Sequence, residues 1–332
     1  MKPGIIEKLP YVVHKFETKQ GWNHNPSICQ DDKNNTWISI RHHDKLPLIV
    51  HLSPQNHPHR NEPSRLQVGH FDPVTLAITD LKLIVPESGS PEFLFKHNLE
   101  DVRIFHRFGK LHGIGVAIPP LGIVQVEVEI DYDKGTYKLL HDFGQPSGRS
   151  EKNWQPSSVP TEAFDYIYSP TQVIKYGWPK GSVYTGKVHG GSQLLPYKDG
   201  WISIAHRIVH VTGLTERWYV SVAQLHDWTG FVTHQSQYFD FGSGWRENLQ
   251  ESVEYVSGAI WMVAEEELLL SMGVRDETCG FVRVPVSAFD WRPVGGWSQK
   301  FSLDSDLLEI VKASSMKKFD KLTAEAKKLS SV

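Results

Sequence analysis

Trp37-Ile38-Ser39-Ile40-Arg41 and Trp201-Ile202-Ser203-Ile204-Ala205-His206 are one short strand written twice in a single chain. Each alternates apolar and polar residues and ends on a basic or titratable side chain. A polar cluster and a turn precede each copy: Asn25-Pro26-Ser27-Ile28 before the first, Gly190-Gly191-Ser192-Gln193 before the second. Outward from these, three further clusters open in the same way. Glu100-Asp101-Val102-Arg103 returns through Leu111-His112-Gly113-Ile114-Gly115. Glu151-Lys152-Asn153-Trp154 returns through Phe164-Asp165-Tyr166-Ile167-Tyr168-Ser169. Ser257-Gly258-Ala259-Ile260 returns through Leu268-Leu269-Leu270-Ser271-Met272-Gly273. A repeated all-β unit of about 50–70 residues predicts propeller blades around an axis. The expected architecture is a five-bladed β-propeller over residues 1–300, with all five polar openings converging on one funnel.

Other segments agree with an all-β reading. Val124-Gln125-Val126-Glu127-Val128-Glu129-Ile130 has period two, so a strand with one wet face is expected. Asp133-Lys134-Gly135-Thr136 then turns the chain into a returning strand. Further strands are expected over 218–225 and 280–286. Gly and Pro punctuate nearly every interval, against long helices. The exception is 301–332, where Leu307, Leu308, Ile310, Val311, Phe319 and Leu322 lie among many Lys. One or two terminal helices are expected there, packed across the propeller or used in self-association as a homo-oligomer.

Composition excludes several function classes. A net charge of -3 over 332 residues leaves no broad surface for a polyanion, so nucleic acid is not an expected partner. Cys29 and Cys279 are the only cysteines, which gives no disulfide framework and fits a reducing compartment. No stretch approaches the roughly 18 apolar residues of a membrane span, and residues 1–13 lack a signal-like apolar core, so a cytoplasmic location is expected. His51, His57 and His59 lie in a Pro/Asn-rich segment without acidic or thiol partners, and read as a solvated loop. No metal site and no cofactor are expected.

The chemistry-bearing residues sit at the strand openings and ends. Asp101, at the mouth of an inner strand, suits a general acid or a sugar-hydroxyl acceptor, and equally a structural ion pair. Arg103, two residues on, shares its face in a regular strand. Lys152 offers a point charge to phosphate or carboxylate, Asn153 an amide, and Trp154 either a sugar-stacking face or, preferably, a core anchor. Gly190 and Gly191 permit close backbone approach to a ligand, with Ser192 beside them. His206 and Arg207 end the fourth return strand, and Arg41 and His42 the first. Glu254 and Asp276 add carboxylates from the fifth unit. Carboxylates beside a basic cluster suit a polyhydroxylated substrate and an anionic partner.

In that order the clusters resemble the five-bladed propellers of inverting mannoside phosphorylases and hydrolases, glycoside hydrolase family one hundred and thirty, and the related β-1,2-mannosyltransferase/phosphorylase group. The string Glu-Lys-Asn-Trp of one branch stands intact at 151–154, and the resemblance spans about residues 22–286. It implies that Asp101 protonates the glycosidic oxygen of a β-mannoside. It implies that Asn25, Arg41 and Asp276 hold the sugar, with Asn153 and Ser192 as further substrate contacts. Lys152, His206 and Arg103 would hold inorganic phosphate or the phosphate of a nucleotide sugar. Plain hydrolysis would need a base carboxylate roughly 6.5–9.5 Å from the acid, and Glu254 is the expected one. The family's Asp-Pro-Arg is Asp101-Val102-Arg103 here, and His189 stands where a stronger base often precedes Gly-Gly-Ser. Glycosyl transfer with a phosphate-bearing partner ranks first, hydrolysis second and a silent carbohydrate-binding propeller third.

Overall fold

In the computed structural model the described residues are 11–14, 22–44, 63–119, 124–143, 153–156, 166–169, 172–174, 188–210, 217–227, 232–239, 241, 254–262, 266–274 and 278–294. The histidines at 51, 57 and 59, Lys152, Asp276 and the segment 301–332 lie outside them.

Nearly every element is a strand. Strand β1 (Tyr11–His14) belongs to the last sheet. Strands β2 (Trp22–Gln30), β3 (Thr36–His43), β4 (Arg65–Phe71) and β5 (Ile78–Pro86) form one antiparallel meander. After the short helix α1 (Glu92–His97), a second meander runs through β6 (Glu100–Arg107), β7 (Lys110–Ala117), β8 (Val124–Asp131) and β9 (Thr136–Asp142). Their outer strands meet in a short parallel pair, Val85 with Thr136 and Pro86 with Tyr137, which merges them into one eight-stranded sheet. Strands β10 (Gln155–Pro156), β11 (Tyr166–Ser169) and β12 (Gln172–Ile174) form a small third sheet. Strands β13 (His189–Gly190) and β14 (Leu195–Tyr197) both pair with β15 (Gly200–His210), which continues into β16 (Arg217–Asp227) and β17 (Val232–Gln235). The last sheet is β18 (Glu254–Trp261), β19 (Glu267–Val274) and β20 (Thr278–Pro285), with β1 added on its outer edge; β21 (Arg292–Pro293) pairs with β17. Tyr11 opposite Val282 thus ties the start of the described chain to its end.

The sheets stack face to face, as their alternating residues require. Ile28, Ile38 and Ile40 pack on Ile260, Leu269 and Phe281 of the last sheet. Leu66, Val68 and Ile84 pack on Val102, Ile104, Val126 and Val128 of the second meander. Ile202, Ile204 and Ala223 meet Val256, Leu270 and Met272. Each buried Val, Leu or Ile contributes roughly 1.5–3 kcal/mol.

One expectation is corrected. The second face of β8 is wet only toward its end: Gln125 and Glu127 are buried, while Glu129 and Asp131 are partly exposed. Glu127 is covered by Arg107, His112 and His141, with His112 Nδ1 at 3.1 Å from its carboxylate. A strand inside a stack of sheets has neighbours on both faces, so its polar face meets other polar side chains instead of water.

The inner strands are joined by side chains that reach the neighbouring backbone. Ser27 Oγ accepts the amide hydrogen of Ile104 at 3.2 Å. Arg103 donates to the Gly191 carbonyl at 2.5 Å. Gln155 donates to the carbonyls of Ser192 at 3.0 Å and Ile204 at 3.3 Å. Gln193 donates to Ile28 at 2.9 Å and Ala259 at 2.5 Å, while its oxygen accepts from the Ala259 amide at 3.1 Å. Ser257 donates to the Pro26 carbonyl at 2.5 Å, returning to the first strand. Strands at this distance from one another have no backbone ladder between them, so these contacts replace it.

Gln193→Ala removes three of these bonds and strands buried backbone groups, each worth about 1–3 kcal/mol when left unmade. The expected loss is about 3 kcal/mol or more by denaturant melt. A loss under about 1 kcal/mol would show that Gln193 does not hold the inner strands together.

Candidate functional site

The chain near the openings of β2 and β6, and two residues before β10, shares a local device. Asn25, Asp101 and Asn153 have φ of 48°, 49° and 76°. Asn and Asp tolerate this left-handed region better than other non-glycine residues. The register slips between His24 and Ser27 and between Glu100 and Arg103 at the same places. The outcome is a division of labour. The left-handed residue projects into the polar cluster, and the residue two further on (Ser27, Arg103 or Gln155) reaches the next strand.

Asp101 and Arg103 therefore serve different partners, unlike side chains on one face of a regular strand. Asp101 is buried, and its Oδ1 accepts from Asn25 Nδ2 at 2.8 Å and from Arg41 Nη1 at 3.1 Å. Arg41 also reaches Glu100 Oε1 at 2.7 Å through Nη2 and Ser64 Oγ at 2.8 Å through Nε. Ser64 Oγ lies 3.4 Å from Glu100 Oε1 and 3.5 Å from His43 Nε2. The His43 ring stacks on His24 with centroids 5.2 Å apart. Burial, then Arg41 and the neighbouring histidines, push His43 down to about 3, so it is neutral at physiological pH.

A second group gathers around Arg103. It donates through Nη2 to Asn153 Oδ1 at 3.2 Å and to the Gly190 carbonyl at 3.5 Å, and its guanidinium lies 5.1 Å over the Tyr255 ring. Tyr255 donates its hydroxyl to the same Asn153 oxygen at 2.9 Å. Burial pushes Arg103 down to about 10 while Asp101 opposes that shift, so Arg103 stays charged at neutral pH. His206 is buried between His189 and Tyr219, with ring centroids at 5.5 and 5.3 Å, and meets the edge of Tyr255 at 5.1 Å. Asn25, Arg41, Asp101, Arg103, Asn153 and His206 thus form two linked clusters from three sheets, one anionic with its own arginine, one cationic and aromatic.

The remaining sequence candidates stand elsewhere in the network. Ser192 donates to the Gln193 carbonyl at 2.9 Å and accepts from the Ile204 amide at 2.9 Å, so its hydroxyl organises the strand opening. Glu254 is buried and accepts from the Phe241 amide at 2.8 Å. Trp154 is core, packed with Phe105 and Ile114. Lys152 and Asp276 lie outside the described residues. Gly190 and Gly191 make room for protein, not ligand: a Cβ at Gly190 would stand 2.1 Å from the Asn153 carbonyl oxygen, and one at Gly191 2.3 Å from that of Ile204. Among the described residues no group of three His, Cys, Asp or Glu is arranged to hold a metal ion. Sequence reading passed over Glu100, Ser64, His43 and Tyr255. Only Glu100 and Tyr255 carried a signal, being neighbours of Asp101 and Glu254.

A Cβ on Gly273 would lie 1.7 Å from Asn25 Oδ1. Gly273→Ala should therefore cost about 2 kcal/mol or more through overpacking. The cost should shrink by at least half in an Asn25→Gly background, where the amide is gone and φ remains tolerable. Thermal melts of the four proteins measure it, and equal costs in both backgrounds would refute the contact.

No family model matches the chain, and no curated protein matches it by sequence. Solved structures do match in fold. A β-1,2-mannobiose phosphorylase from Listeria innocua, in complex with β-1,2-mannobiose, aligns with a TM-score of 0.56 at 13% identity, covering 82% of this chain and 93% of that one. A mannose phosphorylase from Leishmania mexicana, in complex with phosphate ion, aligns with a TM-score of 0.51 at 12% identity, covering 86% and 92%. A GDP-Man-dependent mannosyltransferase from Leishmania mexicana aligns with a TM-score of 0.51 at 13% identity, covering 85% and 90%. At such identities the likeness establishes the shared fold, a propeller-like array of antiparallel sheets.

Proposed function

We propose that this protein is a carbohydrate-active enzyme that moves a mannosyl-like unit with inversion, between a β-mannoside and inorganic phosphate or from a nucleotide sugar to an acceptor. The observation that carries this reading is the Asp101 carboxyl held by Asn25 and Arg41, linked through one strand to the buried cation Arg103. The fold shared with two mannose-handling phosphorylases and a mannosyltransferase supports it. The finer architecture belongs to the same proposal: five blades over residues 1–300, the Glu-Lys-Asn-Trp branch of the family, a helical tail over 301–332 that packs across the propeller or serves self-association, and a cytoplasmic location. Among the described residues no helix is long and apolar enough to cross a membrane.

In phosphorolysis the Asp101 proton passes to the glycosidic oxygen as the bond from that oxygen to the anomeric carbon breaks. A phosphate oxygen attacks the same carbon from the opposite face, giving the α-mannosyl phosphate and a free acceptor sugar. Asn25, Arg41 and Asp276 hold the reacting sugar. Lys152 and His206 hold the anion, with Arg103 supplying positive potential from behind the strand opening. Asn153, gripped by Arg103 and Tyr255, is oriented between the two groups.

The deciding experiment incubates β-mannosides with and without inorganic phosphate and reads sugar phosphate against free sugar. Sugar phosphate as the main product is expected. Free sugar alone, formed in phosphate-free buffer, would move the assignment to hydrolysis with Glu254 as base. Asp101→Asn should abolish turnover, by at least about a thousandfold, while leaving sugar affinity within about tenfold, because an acid acts chiefly in the transition state. Full activity in that variant eliminates the mechanism. Lys152→Ala should raise the KM for phosphate or nucleotide sugar at least tenfold more than that for the acceptor sugar. Paired saturation curves decide it, and equal changes would remove Lys152 from the anion site.

A further inference from the structure

Two adjacent carboxylates share one guanidinium. Arg41 meets Glu100 at 2.7 Å and Asp101 at 3.1 Å, and its third nitrogen is held by Ser64 at 2.8 Å. A freely rotating arginine could serve either acid, but one held at three nitrogens stays against both at once. Glu100 is partly exposed, whereas Asp101 is buried, so the outer carboxylate sits at the mouth and the inner one at the reacting end.

From this geometry we infer that Glu100 is a positioning residue that sets the acidity of Asp101 through Arg41. The inference rests on the acid role proposed for Asp101. Glu100 acts through its own negative charge, which disfavours a second negative charge next door and so offsets part of the pull of Arg41. This favours the protonated Asp101 that an acid must be before it can donate. Among the described residues, charged or titratable groups near this pair include Arg103 from the same strand, His42 and His43 from β3, and His24 from β2. Arg103 favours the ionised Asp101, and Glu100 offsets that pull. His43 is held neutral by burial and by Arg41, and burial also lowers His42. Ser64 bridges the clamp to His43, so it fixes the position of Arg41 without contributing charge.

The test is the titration of Asp101 itself, followed by the carboxyl carbon signal of 13C-labelled aspartate, assigned by its loss in Asp101→Asn. In Glu100→Gln the Asp101 midpoint should fall by about half a unit or more. In Ser64→Ala it should move less than half as far. Where turnover is measurable, the basic limb of the kcat/KM profile should shift to lower pH by the same amount in Glu100→Gln. An unchanged or raised Asp101 midpoint in folded Glu100→Gln overturns the inference. Because this readout needs no substrate, it stays decisive even if no mannoside is turned over, an outcome that would count against the proposed function alone.

Discussion

Everything in this fold depends on joining inner strands that share no backbone ladder with one another. The chain solves this with polar side chains: Ser27, Arg103, Gln155, Gln193 and Ser257 each bond to the backbone of a neighbouring inner strand. Every such bond adds about 1 kcal/mol net, but the larger effect is that the buried carbonyls they meet would otherwise be unsatisfied. The antiparallel pairing of Tyr11 with Val282 covers the outer edge of the last sheet. Hydrophobic burial between the sheets provides the bulk of the stability. The directional contacts near the axis decide which strands become neighbours.

The site follows from the same constraint. Ser27, Arg103 and Ser257 leave their strands toward a neighbouring backbone where the strand register slips. Asn25 and Asp101 absorb the slip at positive φ, Asn153 has the same backbone two residues ahead of Gln155, and all three turn their side chains into the polar interior. The glycines opposite them are required by closeness: Gly190 sits against the Asn153 backbone, and Gly273 against the Asn25 amide. Structure and chemistry are therefore not separate parts of the inner strands. A carboxylate and a cation two residues apart, Asp101 and Arg103, end in different clusters because the strand between them is irregular.

Much of this was readable beforehand. The strand pairs β2–β3, β6–β7 and β18–β19 and the hairpin from β8 into β9 follow from periodicity, which depends only on the alternation of a strand. Asn25, Arg41 and Asp101 meet because β2, β3 and β6 lie side by side. The burial on the second face of β8 was not legible, because Gln125 and Glu127 look like solvent-facing residues until a neighbour covers them. Nor was the part played by Ser192, whose hydroxyl holds the backbone of its own strand opening.

The amino-acid order by itself determined the all-β character, the repeat, and the polar residues available at each strand opening. These are local properties: a period of two, a turn, and the tolerance of Asn and Asp for a left-handed backbone. Only the tertiary structure decided which of those residues touch. That Arg41 spans Glu100 and Asp101, that Tyr255 and Arg103 meet on one Asn153 oxygen, and that His206 is enclosed by rings depend on distances between strands far apart in sequence. Such distances are set by packing and closure of the whole array, and no short stretch of the chain contains them.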